Sequence, residues 1–293
     1  MKSNVFAATD ALNCDEGVRF FSEKAKETPS FMPEVYFFIR RPISKKYRYI
    51  FRRLARQSIL TSSLKITSKG IRGYKRKTLP YYKLDMGEFN IDETIQHNPL
   101  KILNKTLTYK DIYGIKRKRQ KRNVILILDT SGSMFGKLLL NAALTTSVLA
   151  HNLEKENYSI VLFNSTAMVL KGIKEKKKIT TIIDDILDSE AVGFTNIAIG
   201  LEKGLNELNK IQKRVKNEFA ILITDGNYNR GENPINIARN FPKLHVIGIP
   251  PDNDANSGLN ICKEIAKAGK GKFFAVKGYR EIPRTLISIL SQN

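Results

Sequence analysis

The sequence predicts an α/β chain. A doubly wound, mostly parallel sheet occupies residues 123–293, and a basic, partly helical region occupies residues 1–122. Three observations carry this. Continuous apolar runs of strand length, such as "NVILIL" (123–128) and "FAILIT" (219–224), alternate with segments of helical period. Both of those runs lead straight into an aspartate, Asp129 and Asp225. The formal charge of +22 is divided unevenly, with +17 on residues 1–122 and +5 on residues 123–293.

The elements follow in order. The run 123–128 has no polar interruption, as expected of a parallel strand covered on both faces. Residues 137–153 are rich in Leu and Ala, with Leu140, Leu144 and Val148 stepping by four, so a well-buried helix is expected. "YSIVLF" (158–163) reads as a second strand and "TAMVLK" (166–171) as a short third one at an edge. Ile179, Ile182, Ile183, Ile186 and Leu187 fall on one face of a helix. The loop "SEAVGFTN" leads to a helix starting near Ile197 and carrying Leu201, Leu205, Leu208 and Ile211. After the strand 219–224 come a short helix around Pro234–Arg239, the strand "LHVIGI" (244–249) and a helix over 259–268 that stops at Gly269. "KFFAV" (272–276) and a helix near 281–291 close the series. In the first half, 15–27 reads as a helix and 45–60 as a strongly basic helix. Residues 69–122, with "KRKRQKR" at 116–122, read as partly extended.

Composition removes several classes. Two cysteines far apart, Cys14 and Cys262, make neither a disulfide framework nor a cysteine metal site, which fits a reducing cytoplasm. No apolar run reaches the ~18 residues of a membrane span, and the first residues lack the apolar core of a signal peptide. His97, His151 and His245 lie far apart and read as structural. No P-loop, GxGxxG or GxSxG occurs. Asp129 could accept a phosphoryl group after its strand, but the general-acid aspartate such phosphatases carry two residues on is here Ser131. The chain is not expected to be an enzyme.

In an open α/β sheet, ligands bind beyond the carboxyl ends of the strands. Asp129 and Asp225 sit at such ends, and Thr195 lies in the loop before a helix. With Ser131 and Ser133 they make a set of two carboxylates and three hydroxyls, all hard oxygen donors. Such a set suits Mg²⁺, or Mn²⁺ or Ca²⁺, rather than zinc. Gly132 is expected to turn the loop tightly so that both serines face the ion. If the hydroxyls bind directly and the carboxylates act through water, the ion stays electrophilic and keeps a position open for a partner's Asp or Glu.

The motifs "DTSGSM" (129–134), the threonine of "GFTN" (193–196) and "TDG" (224–226) occur in the order found in the von Willebrand factor A domain family, which residues 121–293 resemble. The resemblance implies a metal-ion-dependent adhesion site, with the roles falling on Asp129, Ser131, Ser133, Thr195 and Asp225. Phe194 departs from the family's pattern, where a small or polar residue is commoner, and is expected to narrow access to the metal. A looser resemblance covers residues 85–134, "GEFNIDETI" and "LTYKDIYGIKRKRQKRNVILILDTSGSM". It is to prokaryotic A-domain proteins associated with MoxR-type AAA+ ATPases, including CoxE-like proteins, and implies an adaptor for such an ATPase in protein remodelling or complex maturation. The leading expectation is therefore a cytoplasmic, metal-dependent protein-interaction module.

The rival expectation comes from the basic half. "RRPISKKYRYIFRRLAR" (40–56) interleaves Tyr47, Tyr49 and Phe51 with basic residues. Aromatic rings can stack on unpaired bases while cations hold phosphates. The candidate contacts to nucleic acid or another polyanion are Arg40, Arg41, Lys45, Lys46, Arg48, Arg52, Arg53 and Arg56, with Lys116, Lys118, Arg117 and Arg119 in the second run. In that reading the A domain is a scaffold. A solvated charged face around a modest core is the plainer alternative.

Overall fold

The computed structural model describes residues 13–27, 31–67, 74–79, 88–119, 122–132, 137–153, 157–189, 193–211, 218–249, 257–276 and 281–292. The chain divides into two compact units, Met1–Ile71 with Arg122–Gln292, and Arg72–Lys121.

In the first unit, among the described residues, the helices α1 (Asp15–Glu27), α2 (Phe31–Ile39) and α3 (Lys45–Thr67) precede the sheet. The sheet strands are β4 (Asn123–Asp129), β5 (Asn157–Phe163), β6 (Ala167–Lys171), β7 (Glu218–Thr224), β8 (Leu244–Gly248) and β9 (Lys270–Ala275). Between them run α6 (Lys137–Asn152), α7 (Ile179–Asp188), α8 (Ile197–Asn209), α9 (Pro234–Ala238), α10 (Ser257–Ala268) and the closing α11 (Ile282–Gln292). Among the described residues the strands form one six-stranded sheet in the order β6-β5-β4-β7-β8-β9. All pairs are parallel except β5–β6, where the edge strand runs antiparallel. The doubly wound, mostly parallel sheet expected from the sequence is what folds, with β6 at its expected edge.

The uninterrupted apolar runs have a simple cause: both faces of the sheet are covered. Val124, Leu126 and Leu128 enter one core with Val148 and Leu149 of α6, Ile182, Ile183 and Ile186 of α7, and Leu286, Ile289 and Leu290 of α11. Ile125 and Ile127, pointing the other way, enter a second core with Ile197 and Leu201 of α8, Ala238 of α9 and Ile265 of α10. Asn196 caps α8 by accepting from the backbone N–H of Ile199 at 3.1 Å, which fixes the helix start at Ile197.

The N-terminal helices join the first of these cores. Phe51, Ala55 and Ile59, one face of α3 at steps of four, are buried with Met32, Tyr36, Phe37 and Ile39 of α2. The basic helix runs to Thr67, beyond the expected end at residue 60, and α2 had no counterpart in the sequence reading. Charge therefore changes at residue 122, while burial assigns the described N-terminal helices to the same unit as the sheet.

The second unit contains β1 (Tyr74–Leu79), β2 (Glu88–Phe89), α4 (Ile91–His97), α5 (Pro99–Leu103) and β3 (Gly114–Arg119). Among the described residues its strands lie in the order β1-β3-β2, antiparallel throughout. Asn90 caps α4 through the backbone N–H of Glu93, and Thr108 and Asp111 form a reciprocal capping box further on. Among its residues of described burial only Thr94 and Gly114 are buried.

Two of the three histidines have described side chains. His97 pairs with Glu93 at 3.2 Å and stacks on Tyr113, whereas His245 is buried in β8 and its Nδ1 accepts from the backbone N–H of Lys272. The side chain of His151 lies outside the described residues.

Candidate metal centre

The order of the sheet creates the site. From β4 the chain lays β5 on one side and later β7 on the other, so the loops leaving β4 and β7 diverge. Such a switch point leaves a crevice at the carboxyl ends of the strands. Asp129 is the last residue of β4 and Asp225 follows the last residue of β7.

Asp129 is fully buried and held from two sides. Its Oδ1 accepts from the backbone N–H of Ser131 at 2.9 Å, and its Oδ2 accepts from the Thr224 hydroxyl at 2.6 Å. Burial pushes its carboxyl up to about 6; bonds from Thr224 and Ser131 oppose this, and the charge of Asp225 adds to it. Asp225 is also buried, with Oδ1 accepting from the backbone N–H of Asn227 at 2.9 Å. Both carboxylates act on Cys262, whose thiol is pushed up to about 12, by burial first and then by Asp225 and Asp129. Two buried carboxylates thus lie within each other's field.

The threonine loop is tied to the same edge. The Gly132 N–H donates to the Gly193 carbonyl at 3.3 Å, joining the serine loop to the loop of Thr195. The Thr195 N–H donates to Oδ1 of Asn229 at 2.9 Å, and its carbonyl accepts from the N–H groups of Asn229 and Arg230. Ser131 and Thr195 are both buried. The structure therefore assembles Asp129, Ser131, Thr195 and Asp225 at one edge; Ser133 lies outside the described residues. The donor set fits a hard divalent cation. It offers oxygen alone, and a cation would relieve the repulsion between two desolvated carboxylates. Among the described residues no group of three or more His, Cys, Asp and Glu side chains is placed to hold a metal, so any site here depends on the hydroxyls.

Three details differ from the sequence reading or were missed by it. Gly132 has no left-handed backbone, and a Cβ there would meet only the Gly193 carbonyl at 3.6 Å, an ordinary contact. The glycine demands fall on Gly193 (φ +100°) and on Gly226 (φ +80°), where a Cβ would lie 2.1 Å from the Gly258 carbonyl. Phe194 is 54% exposed, with its ring beneath the Arg230 guanidinium at 5.1 Å. Thr224 and Asn229 hold the Asp129 carboxylate and the Thr195 backbone and were not singled out. The "TDG" motif contained the first, but its role depends on β4–β7 register, which pairs Leu128 with Ile223.

The basic candidates divide. Arg40 is buried, donating to the carbonyls of Leu187 at 2.6 Å and Ser189 at 2.8 Å. Arg52 pairs with Asp188 and Arg56 with Asp184, and Arg48 donates to the carbonyls of Arg41 and Ile43. These four cations are bonded within the fold: Arg52 and Arg56 to the acidic helix α7 beside which α3 packs, Arg40 to the end of that same helix, and Arg48 to the turn that precedes α3. Lys116, Arg117, Lys118 and Arg119 lie in β3 of the other unit.

An open α/β sheet with buried oxygen donors collected at its switch point defines a class of ligand-binding domain. The particular family is shown by its profile, which matches residues 123–287: this chain belongs to the von Willebrand factor type A domain family. Domains of this family are protein-interaction modules, generally without enzymatic activity, and commonly bind a divalent metal. The chain is 28% identical over 123 residues to inter-alpha-trypsin inhibitor heavy chain H3 of Pongo abelii, a match over 38% of this chain and 14% of that protein. It thus spans a small part of that relative's length. Similar solved structures include a von Willebrand factor type A protein from Catenulispora acidiphila (14% identity, TM-score 0.48, 60% of this chain and 43% of that one). Another is proximal thread matrix protein 1 of the mussel byssus with a zinc-occupied MIDAS motif (19% identity, TM-score 0.47, 59% and 47%). No helix among the described residues is long and apolar enough to cross a membrane.

Proposed function

We propose that this chain is a metal-dependent adaptor that captures a carboxylate of a partner protein at the carboxyl edge of its sheet. The observation that carries the reading is the pair of buried carboxylates, Asp129 and Asp225, at the switch point, with buried Ser131 and Thr195 in loops tied to the same edge. Asp129, Ser131, Ser133, Thr195 and Asp225 would hold Mg²⁺, with Mn²⁺ or Ca²⁺ as substitutes. A cation bound there supplies an electrophilic position for an Asp or Glu side chain. The chain's own residues do the rest: Thr224 and the Ser131 N–H aim the Asp129 carboxylate, and Asn229 fixes the backbone at Thr195. A MoxR-type AAA+ ATPase in the cytoplasm is the partner to which the resemblance of residues 85–134 points. The nucleic-acid reading loses support where Arg40, Arg52 and Arg56 are bonded internally.

Calorimetry with Mg²⁺ and Mn²⁺ tests the site. Wild type should bind one ion and Asp129→Asn none, with the far-ultraviolet circular dichroism unchanged. Equal binding by both proteins would overturn the assignment. An affinity pull-down with and without EDTA then tests the partner reading: capture that persists in EDTA would mean that the metal edge is not the docking surface.

A further inference from the structure

We propose that Arg230, held over Phe194 beside Thr195, binds a second carboxylate of the partner, so that the site recognises an acidic pair rather than a single Asp or Glu. The inference rests on the metal-site reading above and names the partner's motif.

The attachment of Arg230 to the site is direct. The Thr195 carbonyl accepts from the N–H groups of Asn229 at 3.1 Å and Arg230 at 3.3 Å, and the Thr195 N–H donates to Oδ1 of Asn229 at 2.9 Å. The loop of Arg230 is thus fastened to the residue whose hydroxyl is assigned to the ion. Phe194, the residue before Thr195, is fastened as well. Its N–H donates to the Ser165 hydroxyl at 2.9 Å, and that hydroxyl lies 3.3 Å from the Phe194 carbonyl, to which it donates. The Phe194 ring is exposed, Arg230 is exposed, and the guanidinium lies 5.1 Å from the ring centroid. The negative face of the ring attracts the cation and holds it in place.

The guanidinium has donors to offer. Among the described residues it forms no ion pair and donates no hydrogen bond, although Glu232 is exposed two residues further on. Arg40, Arg52 and Arg56, by contrast, are committed to carbonyls and carboxylates of the fold. A planar guanidinium presents a fork of N–H groups that matches a carboxylate. Charge points the same way. A divalent ion and the two carboxylates Asp129 and Asp225 sum to zero, so at a distance they offer an acidic segment no net attraction. Arg230 supplies positive charge on the exposed side, where it steers an anionic segment in and then pairs with it. The partner's geometry is undemanding. Neighbouring residues of an extended segment stand ~3.8 Å apart at Cα, and alternate residues about 7 Å apart. An acid one or two positions from the one offered to the ion therefore reaches a guanidinium rooted at the Thr195 carbonyl.

The test titrates the full chain with three terminally blocked hexapeptides carrying an uncharged dye, in Mg²⁺ and in EDTA, by fluorescence polarisation. The peptides are Gly-Gly-Asp-Gly-Gly-Gly, Gly-Gly-Asp-Asp-Gly-Gly and Gly-Gly-Asp-Gly-Asp-Gly. In Mg²⁺ the wild type should bind the better two-acid peptide about tenfold more tightly than the one-acid peptide, the scale of one exposed arginine–carboxylate fork. Arg230→Gln should remove that advantage and lower the one-acid affinity only slightly. Arg230→Lys, a point charge without the fork, should keep part of it, and so should Phe194→Ala. Arg239→Gln, at an exposed arginine just after α9, changes the net charge of this basic chain equally and should keep the whole advantage. The proposal would be overturned if the wild type bound all three peptides equally or bound none. An advantage that survives Arg230→Gln, or equal losses in Arg230→Gln and Arg239→Gln, would overturn it too. In each of these cases the metal site stands wherever calorimetry still shows a bound ion. A wild type that binds no Mg²⁺, or a two-acid advantage that persists in EDTA, would instead remove the metal reading, and this inference with it.

Discussion

Thr224 ends a buried strand and has one hydroxyl with two duties. It donates to the Asp129 carboxylate and accepts from the Gly226 N–H at 3.1 Å. Valine is its isostere and can do neither. Thr224→Val should therefore cost about 10–100-fold in Mg²⁺ affinity while the sheet persists, a range typical of groups that orient metal ligands. Isothermal calorimetry beside circular dichroism checks this; an unchanged affinity would show that the Ser131 N–H suffices to aim the carboxylate. Lys171 illustrates a different cost. It is buried at the edge strand, donating to the carbonyls of Tyr158 at 2.6 Å and Gly172 at 3.2 Å, with Nζ 4.0 Å from the Tyr158 ring centroid. Burial lowers its ammonium to about 8, against the raising effects of Glu175 and Glu207. Between pH 8 and the ordinary lysine value near 10.4 the unfolded chain holds a proton that the folded chain has released. Unfolding then takes up a proton, so stability rises with pH across that window. Relative to Lys171→Met, wild type should gain stability between pH 8 and pH 10. Urea unfolding of both proteins at several pH values reads the difference, and a flat difference would contradict the shift.

At the scale of elements, the β1–β3 ladder runs against a general rule. Its register places Lys75 opposite Lys118, Arg76 opposite Arg117 and Lys77 opposite Lys116. Like charges directly opposite in an antiparallel pair destabilise it. Among the unit's residues of described burial only Thr94 and Gly114 are buried, while Leu100, Leu103 and Tyr109 are exposed. Screening should therefore strengthen the ladder. Amide hydrogens of 74–79 and 114–119 should exchange more slowly as salt rises from about 0.01 M to about 0.15 M, where the Debye length falls from roughly 30 Å to 8 Å. Mass spectrometry of peptides from these strands would detect it, with the central strand β4 as an unresponsive reference. The acidic helix α7 solves the same problem in the opposite way. Asp184 and Asp188 face Arg56 and Arg52 of α3, so the charge of a basic helix is matched where it packs.

At the scale of the molecule, the sheet shares a core with the chain's N-terminal helices. Met32, Tyr36, Phe37, Ile43, Phe51 and Ile59 are buried in one cluster with Val124, Leu126, Leu149 and Ile186. Each large apolar side chain so buried contributes about 1.5–3 kcal/mol, and a whole domain is stable by only about 5–15 kcal/mol. A fragment of residues 123–293 should consequently be unstable although it contains the whole family match. It should bind a hydrophobic dye and lose its cooperative urea transition, whereas the full chain keeps both a dry core and a sharp transition. A cooperative fragment of wild-type stability would show that the helical layer is dispensable.

Periodicity determined much of this protein in the sequence itself. A strand covered on both faces must be apolar throughout, and an amphipathic helix must repeat its apolar residues at three and four, so 123–128, 179–187 and 219–224 were legible directly. The carboxylates were legible too, because a polar residue directly after a buried strand has few reasons to be there. Tertiary structure alone decided the rest. That the residue after α2 and the face of α3 lie against α7, turning Arg40, Arg52 and Arg56 into partners within the fold, depends on contacts between residues more than a hundred positions apart. The same holds for Thr224, whose hydroxyl acquires its task only when β7 pairs with β4 in one register. Local propensity records which residues repeat along the chain. It carries no record of which distant group will satisfy a buried charge, and that choice is made by packing.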